Sequence, residues 1–230
     1  MGQLLAIAPI AVPVLFWAAY HYYQDRHLPE PPHKLILTFL LGMVAAGISA
    51  MLYSGLGVVG LRFDAGYLAD TSAWGLLAYA LLAIGPIEEI AKLLPFLLVV
   101  LRFRDLDEPM DGIIYASFIG LGYAAVENWQ YLEYLTTMEA IARGFASPVI
   151  HILFASIWGH WVTQARLAGR PVLTSVVAST AAAAALHGLY DFMVILNPRF
   201  ALPVAGLMIA AIWVWRLWVL RALHREASQD

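Results

Sequence analysis

Two adjacent carboxylates, Glu88 and Glu89, are followed by Lys92 in a stretch that is otherwise apolar, and Glu127, His151, His187 and Asp191 lie in apolar surroundings further along. A carboxylate withdrawn from water is a stronger base than one in solvent, and a lysine one turn away favours its charged form. Of two such glutamates, one kept ionised and one left to exchange a proton suit amide hydrolysis. The second takes a proton from water and later passes it to the leaving amine. Imidazoles, protonated or metal-bound, would stabilise the oxyanion formed between those steps. A second arrangement uses the same residues. Glu127, His151 and His187, with or without Asp191, match the two-histidine, one-carboxylate ligand set of catalytic zinc, with Glu88 or Glu89 as base. The sequence contains no HExxH motif, and spacing alone does not choose between the two arrangements.

These groups need elements that bring them together. The chain has 230 residues, of which 62% are hydrophobic and 13% charged, more apolar surface than a soluble globule of this size can hide. The surplus must face lipid, so the expected fold is an all-α polytopic membrane protein forming one integral domain over 1–230. With no cysteine, thiol nucleophiles, thiolate metal sites and disulfides are excluded. A net charge of −3 without a basic run argues against nucleic acid as a partner. Seven stretches reach the roughly 20 apolar residues a spanning helix needs, at 4–23, 35–60, 74–101, 112–135, 145–167, 172–196 and 200–220. The third includes Gly85 and Pro86, where a kink is expected; a full break there would make eight spans. The first has no basic leader and no small-residue cleavage site after it, and reads as a retained helix.

Lysine and arginine in the links set the orientation. Arg26, Lys34, Arg102, Arg104, Arg166, Arg170, Arg216, Arg221 and Arg225 fall on one side, and Arg62, Arg143 and Arg199 on the other. The richer side is the cytoplasmic one, which places the N-terminus outside and the C-terminus inside. Trp74 and Trp129 fall at the outer boundary and Trp158, Trp161, Trp213, Trp215 and Trp218 toward the inner one, as aromatic belts do. Counted from the inner flank, Glu88, Glu127, His151 and His187 all lie roughly 21 to 26 Å deep at 1.5 Å per residue. Four helices, within about 74–196, thus deliver ionisable groups to one level.

Helical spacing adds that Glu88 shares a face with Lys92, Tyr123 with Glu127, and His187 with Asp191. His160, nine residues from His151, points half a turn away and is left out of the site. Each group has a bland reading: an ion pair holding helix register, a packing acceptor, a core histidine. The agreement in depth is what weighs against all of them together. Asp105, Asp107 and Asp111 lack calcium-loop spacing and read as a solvated loop. Gly120, Gly122 and Gly188 would permit close helix approach, within the bundle or beside a substrate helix.

At these residues the chain resembles a known family. GPIEEIAK reads as an EExxK motif, YAAVEN as an aromatic-xxx-E-N motif and HGLYD as HxxxD, in that order on successive helices, and DRHLPEP and EPMDGIIY also look like family segments. The combination is similar to the PrsW family of bacterial intramembrane proteases, in the superfamily that holds the CAAX prenyl endopeptidases and bacteriocin-processing proteins. The resemblance implies that Glu88 and Glu89 are the catalytic pair and that Glu127, His151 and His187 complete the site. It implies that Asp191 stands where relatives often have Asn, with Lys92, Tyr123 and Asn128 as supporting motif residues. Tyr123 occupies a position where Phe is commoner, and its hydroxyl could reach the site. Also implied are a bacterial inner-membrane location and membrane-protein substrates such as a single-pass anti-sigma factor. Two other classes share the features read from the residues: a proton-coupled transporter, which would show inverted repeats that are not seen, and a zinc-dependent lipid amide hydrolase. A scaffold with an idle site is the third.

Overall fold

A computed structural model describes residues 2–24, 29–196 and 198–227, all of its regular structure helical. The helices are α1 (Gly2–Gln24), α2 (Pro32–Val58), α3 (Ala65–Thr71), α4 (Ala73–Tyr79), α5 (Gly85–Leu98), α6 (Pro109–Tyr131), α7 (Thr137–Leu167), α8 (Val172–Leu196) and α9 (Pro198–Ala227). Four stretches, Pro32–Val58, Pro109–Tyr134, Thr137–Leu167 and Val172–Leu196, are long and apolar enough to cross a membrane by length and composition. Arg26 and most of the DRHLPEP segment lie outside the described residues, as does the side chain of Arg225.

The centre of the bundle is the pair α6 and α7. Every residue from 110 to 124 on α6 and from 150 to 160 on α7 is buried, which is why neither shows a one-sided apolar pattern. A helix apolar all round is enclosed all round. Around this pair, α2 is two-faced. Leu35, Thr38, Gly42, Ala45 and Ser49 are buried, while Ile36, Leu40, Val44, Met51 and Val58 form an exposed apolar stripe suited to lipid.

Glycines set the closest approaches. A Cβ on Gly122 would sit 1.9 Å from the Phe39 carbonyl oxygen of α2, one on Gly120 would sit 2.7 Å from that of His151, and one on Gly188 would sit 2.3 Å from that of Ala80. All three are spent on packing within the bundle, so none is free to seat a substrate helix.

The third expected span is continuous helix from 73 to 98, interrupted by a π-helical turn over Ala80–Ile84. Pro86 has no N–H to give to a carbonyl one turn back, and its ring crowds that carbonyl; the Gly85 N–H bonds instead to the Ala80 carbonyl, five residues back. The kink signal in the sequence thus corresponds to a widened turn, not a break.

Two sequence readings are corrected here. Arg216, counted among the inner-flank charges, is 2% exposed within the bundle, donating to the hydroxyls of Ser117 (2.9 Å) and Ser156 and lying 2.9 Å from His21 Nδ1. Trp158, assigned to the inner aromatic belt, is fully buried. The aspartate loop is also more ordered than a solvated one. Asp111 is buried and caps α6 by accepting from the Asp107 and Glu108 N–H groups, and Asp105 pairs with Lys34.

Candidate active site

A cavity of about 1030 Å³ opens between α2, α6, α7 and α8, at the end of the bundle that carries the 59–72 and 132–136 links. Its wall includes Glu88, Glu127, His151, His187 and Asp191; Glu89 and Lys92 lie behind it, each fully buried. The residues that the sequence placed at one depth therefore form one connected group.

Lys92 organises it. Its ammonium donates to Glu89 Oε1 at 2.5 Å and lies 3.1 Å from His151 Nδ1. An ammonium has no lone pair, so Nδ1 must be the acceptor, which leaves the His151 proton on Nε2. That nitrogen meets Glu127 Oε2 at 2.9 Å. Glu127 also accepts from Ser147 Oγ at 3.2 Å and pairs with Arg143 at 3.1 Å, and Arg143 stacks on the Tyr131 ring, 3.9 Å from its centroid. Glu127 is thus an anchor for the outward side of His151.

The two adjacent glutamates have different surroundings. Glu89 receives Lys92 and the His187 Nδ1 proton (2.7 Å) on one oxygen and the Trp158 indole N–H (2.9 Å) on the other. Such a carboxylate is satisfied and closed off from the cavity. Glu88 lines the cavity, and its Oε2 has no hydrogen-bond partner. His187 Nε2 stands 3.6 Å from that oxygen and 3.6 Å from Asp191 Oδ2, while the Tyr53 hydroxyl of α2 is 3.4 Å from Glu88 Oε1. The His187 ring packs on Phe154 with centroids 4.9 Å apart.

Tyr123 and Asn128 are placed differently from the rest. The Tyr123 hydroxyl donates to Ser49 of α2 at 2.9 Å, and its ring lies beneath Lys92 and beside His151. Asn128 is buried, is not part of the cavity wall, and neither atom of its amide has a hydrogen-bond partner. His160 packs on Trp161 and Trp215, apart from this group.

Trp158, Tyr53, Arg143 and Ser147 were not found from the sequence. Three of them had a signal: Arg143, Ser147, His151 and Trp158 recur at four, four and seven residues, one face of α7. Tyr53 had none, since α2 carries no acidic, basic or histidine side chain at that level.

A metal ion could be held by Glu88, His151 and His187, whose donor atoms all lie within 4.8 Å of one another. This set has Glu88 where the sequence reading had Glu127. Two imidazoles and one carboxylate are a zinc donor set, and the Nδ1–H of His187 on Glu89 is the kind of outer hydrogen bond that orients a ligating histidine; His151 would join the set only by giving up its contact with Lys92 or Glu127.

The sequence model described as PrsW family intramembrane metalloprotease matches residues 30–219. The chain belongs to the PrsW family. Protease PrsW of Geobacillus kaustophilus is 30% identical over 195 residues, covering 85% of this chain and 81% of that one. Protease PrsW of Clostridioides difficile is 28% identical, covering 91% and 86%. Protease PrsW of Bacillus subtilis is 28% identical, covering 76% of each. No solved structure matches. As a PrsW family member the chain is an enzyme, an intramembrane protease, and a multi-pass membrane protein.

Proposed function

We propose that this PrsW family protein hydrolyses peptide bonds of membrane-embedded protein substrates, with Glu88 activating the water. The observation that carries the reading is the division of labour within the acid pair: Glu88 lines the cavity and keeps one oxygen unpartnered, and Glu89 is locked behind it by three donors. Water in the cavity gives a proton to Glu88 while its oxygen adds to the substrate carbonyl carbon. The same proton goes to the amine nitrogen as the C–N bond breaks. Glu89 acts through others, holding Lys92 and fixing His187 so that Nε2 faces the reacting centre. Lys92 and Glu127 hold the His151 ring between them. Asp191 flanks His187 Nε2 on the cavity side, and that nitrogen, when it carries a proton, donates to the developing oxyanion. A zinc ion held by Glu88, His151 and His187 would, when bound, polarise the carbonyl and acidify the water.

The working groups come from α5 to α8 within a single membrane-embedded unit. We place it in the bacterial cytoplasmic membrane with seven crossings, the N-terminus and the cavity mouth outside, on the strength of the lysine and arginine count. A single-pass protein such as an anti-sigma factor, cut near its outer boundary, fits a cavity open at that end.

The test is cleavage of a synthetic transmembrane peptide by purified protein, with and without chelator, alongside metal analysis. Cleavage by the wild type is expected. Loss with chelator and recovery with one zinc per chain would give the metal an essential part; cleavage by metal-free protein would give the water to Glu88 alone. Absence of cleavage of any transmembrane peptide would overturn the proposal.

A further inference from the structure

The geometry points to Tyr53 as a catalytic hydrogen-bond donor, whose phenol holds the oxyanion formed when water adds to the substrate carbonyl. The assignment rests on Glu88 being the group that activates that water. It brings α2, a helix with no acidic, basic or histidine side chain at this depth, into the chemistry.

Among the α2 residues that line the cavity, three carry hydroxyls: Ser49, Tyr53 and Ser54. Ser49 receives the Tyr123 hydroxyl, which ties α2 to α6 and occupies that phenol. Ser54 donates to the Ala50 carbonyl of its own helix at 2.8 Å. Tyr53 remains, one turn beyond Ser49 on the same face, with its hydroxyl 3.4 Å from Glu88 Oε1. Since His187 Nε2 stands 3.6 Å from Glu88 Oε2, the phenol and the imidazole bracket the two oxygens of one carboxylate. A reacting carbonyl brought to the water on Glu88 therefore enters between them.

At 3.4 Å the Tyr53 bond is long for O–H···O, so the phenol is loosely held and free to turn to a stronger acceptor. Apart from His187 on the other side of Glu88, the neighbouring groups are poor alternatives. Glu127 is engaged by His151, Ser147 and Arg143, and Asp191 lies against His187. Arg143 is engaged by Glu127 and stacked on Tyr131, and Lys92 is fully buried, donating to Glu89 and His151. A full negative charge on the former carbonyl oxygen needs a donor already in place, and a phenol on the cavity wall supplies one.

The proton and electron count closes without a co-reactant. Water loses one proton to Glu88 as its oxygen bonds to the carbonyl carbon, and the carbonyl π pair moves onto oxygen. That oxygen accepts the Tyr53 O–H bond without taking its proton. When the pair returns, the C–N bond breaks and the amine leaves with the proton from Glu88. Tyr53 ends as it began.

The test compares Tyr53→Phe with wild type in the full-length purified protein. With a synthetic transmembrane peptide, kcat should fall on the order of 10²-fold with KM unchanged. Binding of a phosphinic peptide that mimics the tetrahedral state should weaken by a similar factor, whereas the uncleaved peptide should bind equally well to Glu88→Gln with or without Tyr53→Phe. Wild-type kcat, or a loss confined to KM, would overturn the assignment. So would an equal kcat loss in Ser49→Ala, which loosens the same helix contact without touching Glu88. Should Tyr53→Phe fail to fold, a fluorinated tyrosine at position 53 keeps the shape and changes the acidity of the O–H. A kcat indifferent to that change would again overturn the assignment. Glu88→Gln separates the two ideas: if it still cleaves, the water-activation reading falls; if it is inactive while Tyr53→Phe is fully active, only the role of Tyr53 falls.

Discussion

Two of the clusters of buried charge in this bundle are built on opposite plans. In one, Arg216 of α9 is held by two serine hydroxyls and an imidazole from three other helices, and none of these residues lines the cavity. In the other, four acidic side chains, two imidazoles and a lysine are packed together, and one carboxylate oxygen is left without a partner beside a cavity. The first cluster resembles a clamp whose hydrogen bonds serve only to join helices. The second sets its unmatched carboxylate on the wall of a cavity, at the point where a substrate would arrive. Burial of a charged residue in a membrane protein is therefore a weak signal of function unless a cavity and an unmatched acceptor accompany it.

This contrast can be broken by substitution. The largest effect is expected from Glu88→Gln, which keeps the shape and removes the base: peptide cleavage should drop by about 10²- to 10⁴-fold with expression and thermal stability retained. Retained cleavage would mean the cavity-facing acid is not the working one. Lys92→Met should act on stability instead, since it strands the buried Glu89 carboxylate. A loss of about 3–5 kcal/mol is expected, seen as a lower melting temperature in detergent and offset by adding Glu89→Leu. If the single variant melts as wild type does, Lys92 is not the counter-charge it looks to be.

Smaller effects sharpen the comparison. Gly188→Ala puts a Cβ 2.3 Å from the Ala80 carbonyl oxygen and must push α8 away from the π turn. A loss of about 1–3 kcal/mol is expected, and because His187 is adjacent, kcat should fall with it. Arg216→Met is the control from the other cluster. It should lower stability by about 1–3 kcal/mol while the folded fraction cleaves at the wild-type rate. A kcat defect in folded Arg216→Met protein would show that the two clusters are coupled.

Much of the site was legible because depth in a bilayer is a length that can be counted. Glu88, Glu127, His151 and His187 could be placed at one level from the helical rise and the flanking arginines, and one cavity wall holds all four. What counting could not give was azimuth and partner choice. Glu127 was read as one ligand of a possible metal, and the structure sets it on the far side of His151 from Lys92, while the three donors it brings within 4.8 Å of one another include Glu88 instead. Trp158 was misread because an indole near a span end usually marks the interface, whereas here its N–H is needed by a buried carboxylate. Arg216 was misread for the same reason, its charge having been assigned to the flank. Tyr53 was invisible because α2 looks from its composition like a lipid-facing helix, and only the packing of Ser49 against Tyr123 shows that one of its faces is turned to the chemistry.

The π turn over Ala80–Ile84 has one more consequence. A turn that takes in an additional residue sets the stretch before it and the stretch after it out of phase, by about 100°. No single wheel diagram describes 73–98, and the bearing of Glu88 and Glu89 is decoupled from the helix that leads into them. Shortening that loop of backbone by one residue would swing the entire lead-in relative to the acid pair. The offset is a dial on which the aim of the two carboxylates depends.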